Sequence, residues 1–390
     1  MRIFEIATGF TSIPAKIGAA TEIVVQNLAN NLSQKNEVIL IDVQSKNREG
    51  IDCPIYEIKM PQWLMKPGSF LSIRHKFKRV IYSVKLALRV KKIIREEPAG
   101  AVFHFHNQYN FAFTHWWCSS IKKKKTGTRF VYTLHTPLWS ESTDKIRQST
   151  KRKYFLEIYS IKHADRVIAL NPNAGKNIRS YFKNKPDNIV VIPNGVNTEV
   201  YHPEPTCLKD KPLNFISVGS VCDRKNQLQT IQLLHPILAE KQSRFSFAGA
   251  IADPEYMKEI EQYIRNNHLE NRIIYLGEKS PGKDLNELYN SGSIYISQSK
   301  SEAFSLVVLE AMSAGLPVLL SEDFRSSLQG TPPSEAIIFC KSNKDFYRVI
   351  DSFYPDTGKL NELSSSSRKY IEEHFSWKQI ADLYEKALKQ

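Results

Sequence analysis

From Ser297 to Glu322 the chain reads S-Q-S-K-S-E-A-F-S-L-V-V-L-E-A-M-S-A-G-L-P-V-L-L-S-E. Ser305 suits a helix N-cap, Leu306 to Ala314 suit a short helix, and Gly315 with Pro317 end it. Val318 to Leu320 then read as a buried strand. The helix is apolar almost all round, yet it carries Glu310, and Glu302 sits just ahead of its start. Burying an ionised carboxylate costs several kcal/mol unless it finds donors. Two accounts fit. In the plainer one Glu310 lies at the helix edge, solvated or paired with Lys or Arg. In the other it accepts hydrogen bonds from ligand hydroxyls, while the free N–H groups at Ser305 and Leu306 face an anion.

The same alternation recurs outward from this stretch. Arg2 to Thr8 reads as a strand, about Ala20 to Ser33 as a helix with Ile23, Val24, Leu28 and Leu32 at helical spacing, and Glu37 to Val43 as a second strand. Four further strands are predicted at Ala101–Phe105, Arg129–Leu134, Arg166–Leu170 and Ile189–Ile192. A P-N-G turn follows within Ile192–Pro203, and a hinge is expected around 195–212. Beyond it strands are expected at Asn214–Gly219, Phe245–Gly249, Arg272–Gly277, Ser293–Ser297 and Val318–Leu320, with helices between them, including Asp284–Asn290. A last helix is read over Ser376–Leu388. Strands alternating with helices imply parallel α/β sheets, and 390 residues suit two domains.

Five scattered cysteines, with no C-x-x-C pair, argue for a reduced compartment and against a disulfide framework or a zinc ribbon. The N-terminus reads as a strand, unlike a signal peptide, and no run of about eighteen apolar residues predicts a membrane span. A cytoplasmic location is the expectation. The net charge of +14 is unevenly spread. Residues 1–195 hold 32 Lys and Arg against 14 Asp and Glu, and residues 196–390 hold 22 against 26. The first half is therefore +18 and the second −4, which points to an anionic surface or acceptor met by the first.

Most of the unusual basic character falls in Arg74–Arg95, where Arg74, Lys78, Lys85, Arg89 and Lys92 alternate with Phe77, Ile81, Val84, Leu88 and Ile93. Trp63, Leu64, Met65, Phe70 and Leu71 precede it. This suits either an ordinary crossover helix with a solvated basic face or an amphipathic helix on an anionic membrane, at the inner face of the cytoplasmic membrane. Aromatic residues are not interleaved as stacking platforms, so nucleic acid is not an expected partner. No G-x-G-x-x-G is present, which counts against a dinucleotide site.

Two predicted parallel strands end in histidine, at H-F-H-N (His104–Asn107) and H-T-P (His135–Pro137). Open α/β sheets place ligands at such carboxyl ends, although a strand-end histidine is often merely structural. Zinc held by His104, His106 and His135 is conceivable, with no carboxylate or Cys spacing to support it. Arg224 and Lys225 lie in the turn Ser220–Gln227, where a basic pair is often simply solvated.

The pattern E-x7-E from Glu302 to Glu310, followed by A-x-x-A-G-x-P-V, resembles the nucleotide-binding segment of the GT-B retaining glycosyltransferases, especially family 4 (glycosyl transferases group 1). The resemblance implies a GT-B fold, two doubly wound Rossmann-like domains facing a central cleft. It further implies an N-terminal acceptor-binding domain (1–200), a C-terminal nucleotide-sugar-binding domain (201–372) and a helix over 373–390 that crosses back to the first. On the matching positions Glu302 lies by the transferred sugar and Glu310 holds the ribose. Phe304 keeps the E-G-F-G aromatic while Ala303 and Ser305 replace its glycines, and the amides of Ser305 and Leu306 cradle the diphosphate. Gly219 and Lys225 match G-R-x-x-x-x-K-G. Ser220 replaces its Arg, Asn226 its second Gly, and Arg224 could supply the second positive charge. Gly277 and Glu278 match the loop that reads the base, and Gly18 matches the first glycine of the phosphate loop within Ile13–Glu22. His106 lies beside the donor sugar, and His135 matches a strand end near the acceptor. The implied enzyme needs no metal or cofactor. It moves a sugar from a nucleotide diphospho-sugar, most often a UDP-sugar, to a glycan or lipid-linked acceptor in cell-surface glycan or glycoconjugate synthesis. The alternatives are a nucleotide-sugar epimerase or phosphorylase of the same fold, or a non-catalytic partner subunit. The missing Arg at Ser220 favours the last of these.

Overall fold

A computed structural model of the chain describes residues 2–15, 19–65, 73–97, 99–125, 127–140, 146, 154–182, 188–204, 212–328, 330–354 and 357–390. The chain divides into two compact units, Met1–Pro193 with Ile380–Gln390, and Asn194–Gln379. In the first unit the elements run β1 (Arg2–Ile6), α1 (Ala20–Ser33), β2 (Val38–Val43), β3 (Ile55–Ile58), α2 (Ile73–Glu96), β4 (Ala101–Phe105), α3 (Gln108–Lys122), β5 (Arg129–Thr133), α4 (Phe155–His163), β6 (Arg166–Ala169), α5 (Pro172–Tyr181) and β7 (Ile189–Val191). The second unit runs β8 (Asn214–Val218), α6 (Gln227–Glu240), β9 (Arg244–Ala248), α7 (Pro254–Asn266), β10 (Ile273–Tyr275), α8 (Lys283–Asn290), β11 (Ile294–Ser297), α9 (Leu306–Ser313), β12 (Val318–Ser321), β13 (Ile337–Cys340), α10 (Asn343–Asp351) and α11 (Thr357–His374). A final helix, α12 (Trp377–Lys389), closes the chain.

Both sheets are parallel throughout. Their orders are β3-β2-β1-β4-β5-β6-β7 and β10-β9-β8-β11-β12-β13. The central strands are apolar runs buried on both faces, as parallel sheets require: Val102, Phe103 and Phe105 in β4, and Val318, Leu319 and Leu320 in β12. Side-chain caps mark some of the helix starts. Asn107 accepts from the amides of Tyr109 and Asn110, and Asp253 accepts from Tyr256. The expected α/β class is the observed one, with one strand more in each unit than the sequence pattern predicts. The two extra strands, β3 and β13, are both at sheet edges and only partly buried; β3 (I-Y-E-I) carries no apolar run, whereas β13 (I-I-F-C) does and is not among the strands predicted.

The basic helix needs a correction. Its buried face is not the one carrying Phe77 and Leu88 but the stripe Tyr82, Leu86, Ala87, Val90, Ile93 and Ile94, where Ser83 and Ala87 are small enough for α3 to pack closely. Lys78 is buried on that stripe and donates to the carbonyl of Phe10 at 2.7 Å. Arg79 lies over the Phe10 ring and Arg89 over Tyr56. Ile73, Phe77, Val80 and Leu88 remain exposed, the latter three at 57%, 41% and 57%. Of the preceding apolar residues Trp63 is exposed, Leu64 belongs to the core, and Phe70 and Leu71 lie outside the described residues.

In an open α/β sheet the strand order reverses once, and the crevice at the carboxyl ends there is the default ligand site. In the first unit the reversal lies between β1 and β4, and in the second between β8 and β11.

Candidate functional site

The first reversal brings together Glu5 on β1 with His104 and His106 at the end of β4. All three are buried. Glu5 Oε1 lies 2.9 Å from His104 Nδ1, and Oε2 lies 3.0 Å from His106 Nε2. The other ring nitrogens are also engaged, His104 Nε2 with Thr133 Oγ1 at 2.7 Å and His106 Nδ1 with His135 Nε2 at 2.9 Å. Burial pushes the Glu5 carboxyl up, but the imidazole of His104 and then that of His106 outweigh it and bring it down to about 2. Burial lowers His106 to about 4 and takes His135 well below its ordinary value. The result is one carboxylate between two rings, with His106 and His135 favoured in their neutral forms by burial.

A carboxylate absent from the local sequence pattern thus completes the histidine group, from a strand far away in the chain. Among the described residues, Glu5, His104 and His106 are the set whose donor atoms lie close enough for a cation. Here the carboxylate instead accepts a hydrogen bond from each ring, and the rings' outer nitrogens are taken by Thr133 and His135. Nearby, Glu22 accepts from the Thr8 hydroxyl and burial raises it to about 7. Asp42 accepts from the Ile13 amide at 2.8 Å and from Arg48 at 2.6 Å. These bonds hold down the start of the loop whose expected phosphate-binding residue, Gly18, lies outside the described residues.

At the second reversal, two loops are laced together. The amide of Lys300 donates to the carbonyl of Arg224 at 2.9 Å, and Lys300 Nζ meets Asp223 at 2.7 Å. Asn226, in the left-handed region at φ 59°, caps the turn by position and reaches the carbonyl of Gln298 at 3.2 Å. This lacing places Lys225 Nζ 2.6 Å and Arg224 Nη1 3.4 Å from Glu302 Oε1, which Ser299 also contacts at 2.7 Å. Burial raises the Glu302 carboxyl, but Lys225 outweighs it, followed by Arg224, and the net shift is downward. Gly219 suits this place: it has φ 155°, which side-chain-bearing residues rarely adopt, and a Cβ would stand 3.2 Å from Lys225 Cε, closer than an ordinary contact.

Helix α9 starts beside this cluster with Ser305 as N-cap, but the Ser305 side chain makes no capping bond, contrary to the expectation from sequence. The first-turn amides therefore have no side-chain oxygen of their own cap, the arrangement that suits an anion. Phe304 is buried against Phe375, its carbonyl held by Asn194 at 3.2 Å, and Leu306 is partly buried. Glu310 lies on the buried side of α9, so the solvated-edge account is excluded. The Tyr289 hydroxyl donates to its Oε2 at 2.9 Å and Tyr201 supplies a second bond, while burial pushes the carboxyl up to about 7. Gly277 sits at φ 70° after β10 with its carbonyl accepting from Gly249, and Glu278 is exposed.

The sequence therefore named Lys225, Arg224, Glu302, His106 and His135, and the structure gathers the first three in one unit and the last two in the other. Glu5 and Thr133 were missed. Each sits inside an ordinary strand, and only the register of β1 against β4, with Glu5 opposite His104, reveals the first.

Two family models match the chain: Glycosyltransferase Family 4 over residues 21–200 and Glycosyl transferases group 1 over residues 202–388. The fold and both halves of the sequence thus define a GT-B glycosyltransferase. The chain belongs to the family 4, group 1 glycosyltransferases. It is 26% identical to alpha-galactosylglucosyldiacylglycerol synthase of Streptococcus pneumoniae, over 73% of this chain and 77% of that one. It is 29% identical to the Escherichia coli UDP-Gal:alpha-D-GlcNAc-diphosphoundecaprenol alpha-1,3-galactosyltransferase, over 49% of this chain and 51% of that one. Among solved structures it shares the fold of Anabaena HepE in complex with UDP and glucose, with a TM-score of 0.73, 16% identity, and 100% and 99% of the two chains covered.

Proposed function

We propose that this glycosyltransferase moves a sugar, with retention of configuration, from a nucleotide diphospho-sugar to an acceptor hydroxyl, a UDP-sugar being the first donor to test. The carrying observation is the convergence of Lys225, Arg224 and Glu302 beside the uncapped start of α9. Leaving-group charge develops on a diphosphate, and cations with helix-start amides are the groups that stabilise it. Lys225 has two further N–H donors beyond the one aimed at Glu302. Arg224 approaches Glu302 from four positions beyond Ser220, which supports its standing in for the Arg that the family pattern has there. In this proposal the bond from the acceptor oxygen to the anomeric carbon forms as the bond from that carbon to the diphosphate oxygen breaks. The hydroxyl proton passes to a phosphate oxygen. Glu302 and His106 orient the sugar, Glu310 holds the ribose hydroxyls, and the loop at Gly277 and Glu278 faces the base. No metal is called for.

An acceptor carried on a lipid agrees with the printed activities of the pneumococcal and Escherichia coli relatives, and with the +18 charge of residues 1–195. Peripheral contact with an anionic membrane through the exposed side of α2 is part of the same proposal. No helix among the described residues is long and apolar enough to cross a membrane.

Thermal-shift titration with UDP, GDP and ADP, followed by incubation with the matching sugar nucleotide, tests the donor. The expected result is stabilisation by one diphosphate and slow release of free sugar without acceptor. Binding of none of the three would favour the partner-subunit account, which Ser220 supports.

A further inference from the structure

Glu5 lies outside every motif that marks the family in this chain, yet the histidine cluster is built on it. Its carboxylate has no proton to give, so each facing ring nitrogen must carry one: Nδ1 of His104 and Nε2 of His106. The rest of the chain of bonds then follows from counting protons. His104 donates from Nδ1 to Glu5, and its Nε2 lies 2.7 Å from the Thr133 hydroxyl oxygen. A neutral His106 protonated on Nε2 has a bare Nδ1, which must accept from Nε2–H of His135. His135, protonated on Nε2, is left with a lone pair on Nδ1. Its ring is partly exposed while Glu5, His104 and Thr133 are fully buried, so one end of the relay is fixed in the core and the other reaches the surface of the site.

We propose that Glu5 is a positioning residue for sugar transfer: by accepting one hydrogen bond from each of His104 and His106 it sets the tautomer and orientation of His106 and, through it, of His135. The ring of His135 consequently offers an approaching hydroxyl an acceptor and not a donor. This rests on the transferase reading for its consequence, but its physical content is independent of it. A buried carboxylate that fixes an imidazole tautomer is a general device for readying a histidine, and losing it costs turnover more than binding.

Nitrogen-15 labelled histidine in the full chain, read by long-range proton–nitrogen correlation and assigned with His106→Gln and His135→Gln, gives the tautomers directly and needs no substrate. The expected result is the proton on Nε2 in both His106 and His135. A proton on Nδ1 of either ring overturns the proposal. In Glu5→Gln the amide group must donate to one of the two rings, so His104 or His106 is expected to switch tautomer. Both rings unchanged would overturn it too. Kinetically, Glu5→Leu is expected to lower kcat about ten- to a hundred-fold with nucleotide affinity unaltered, and Glu5→Asp to restore part of it. Should Glu5→Leu fail to fold, Glu5→Gln carries the same test. Wild-type kcat in a variant whose ring tautomers have switched removes Glu5 from the reaction. Failure of the transferase reading would appear differently, as wild-type protein with the expected tautomers and no donor turned over.

Discussion

The two strand-order reversals have the same geometry and opposite chemistry. At the first, Glu5, His104 and His106 are buried, burial favours neutral His106 and His135, and hydrogen bonds link Thr133, His104, Glu5, His106 and His135 in one chain. At the second, the groups are charged and partly open: the side chain of Lys225 is 15% exposed and that of Arg224 45%. A doubly wound sheet supplies a place for a ligand at each reversal, whatever residues stand there. Those residues then decide what the place can do. A hydrogen-bonded network of rings on a buried carboxylate holds geometry and offers fixed donors and acceptors. A half-open pair of cations can answer negative charge, and the proposed ligand for it is a diphosphate. On the proposed function, the two copies of one architecture divide positioning from charge neutralisation.

The sharpest way to break that division is to remove the charge. Lys225→Ala is expected to lower kcat about 10²–10³-fold, the usual cost of deleting a group that stabilises developing negative charge. Arg224→Ala should cost less, because its guanidinium is farther from Glu302 and more exposed. Steady-state rates with donor and acceptor check both. Near-normal turnover in Lys225→Ala would move the charge-neutralising role elsewhere.

Glu310 sharpens the comparison from the other side, as a buried carboxylate in the charged unit. Glu310→Ala is expected to weaken nucleotide binding by about 1.5–3 kcal/mol, the range for charge-assisted hydrogen bonds to the ribose. Uridine is the better ligand for the pH test, since it has no titrating phosphate. Burial lifts the Glu310 carboxyl to about 7, and hydroxyls donating to it favour the ionised form. Uridine affinity should therefore rise as pH goes from about 6 to 8, with proton release on binding, and Glu310→Gln should flatten the profile. Stability has the opposite sign. The unfolded chain gives up this proton near 4.5 and the folded chain near 7, so the folded state binds more protons in between and loses stability as pH rises through that window. Calorimetry against pH, comparing wild type with Glu310→Gln, reads the term; a pH-independent affinity for uridine would place the ribose away from Glu310.

How far the sequence shows all this depends on how local each signal is. The α/β alternation is legible because buried parallel strands are apolar runs of their own, as in Val318–Leu320. The edge strand β3 is not, since Tyr56 and Glu57 meet solvent, while β13, Ile337–Cys340, is such a run and yet is not among the strands predicted. Lys225 and Glu302 are legible as motif positions, but their meeting depends on the lacing of Arg224 to Lys300, which no spacing shows. Glu5 was invisible for the same reason: its partners lie far away in the chain. The basic helix was ambiguous in a different manner. It carries two apolar stripes, and its pattern does not say which one the core takes; the choice is made by Ser83 and Ala87, small residues that admit α3.

That choice leaves the smallest predicted effect, and the one that tests whether the first unit carries charge for a membrane as well as geometry for catalysis. With Tyr82, Leu86 and Val90 turned inward, Ile73, Phe77, Val80 and Leu88 face solvent at helical spacing, among exposed Lys76, Lys85, Lys92 and Arg95. Each Lys or Arg near an anionic bilayer contributes on the order of 1 kcal/mol, so a handful on one face suffices for reversible binding. Lys78, Arg79 and Arg89 are poor sites to probe this, because Lys78 is buried against the Phe10 carbonyl and the two arginines stack on Phe10 and Tyr56. The informative variant is Lys76→Ser with Lys92→Ser and Arg95→Ser, beside a second in which Phe77 and Leu88 become Ser. A soluble anionic acceptor would use the cations alone, whereas a bilayer also uses the apolar stripe. Sedimentation with vesicles is expected to show binding that requires anionic lipid, falls with salt, and weakens in both variants. If the charge variant alone loses binding, the surface serves a soluble anion, and if wild type stays in the supernatant with anionic vesicles at low salt, the helix makes no membrane contact.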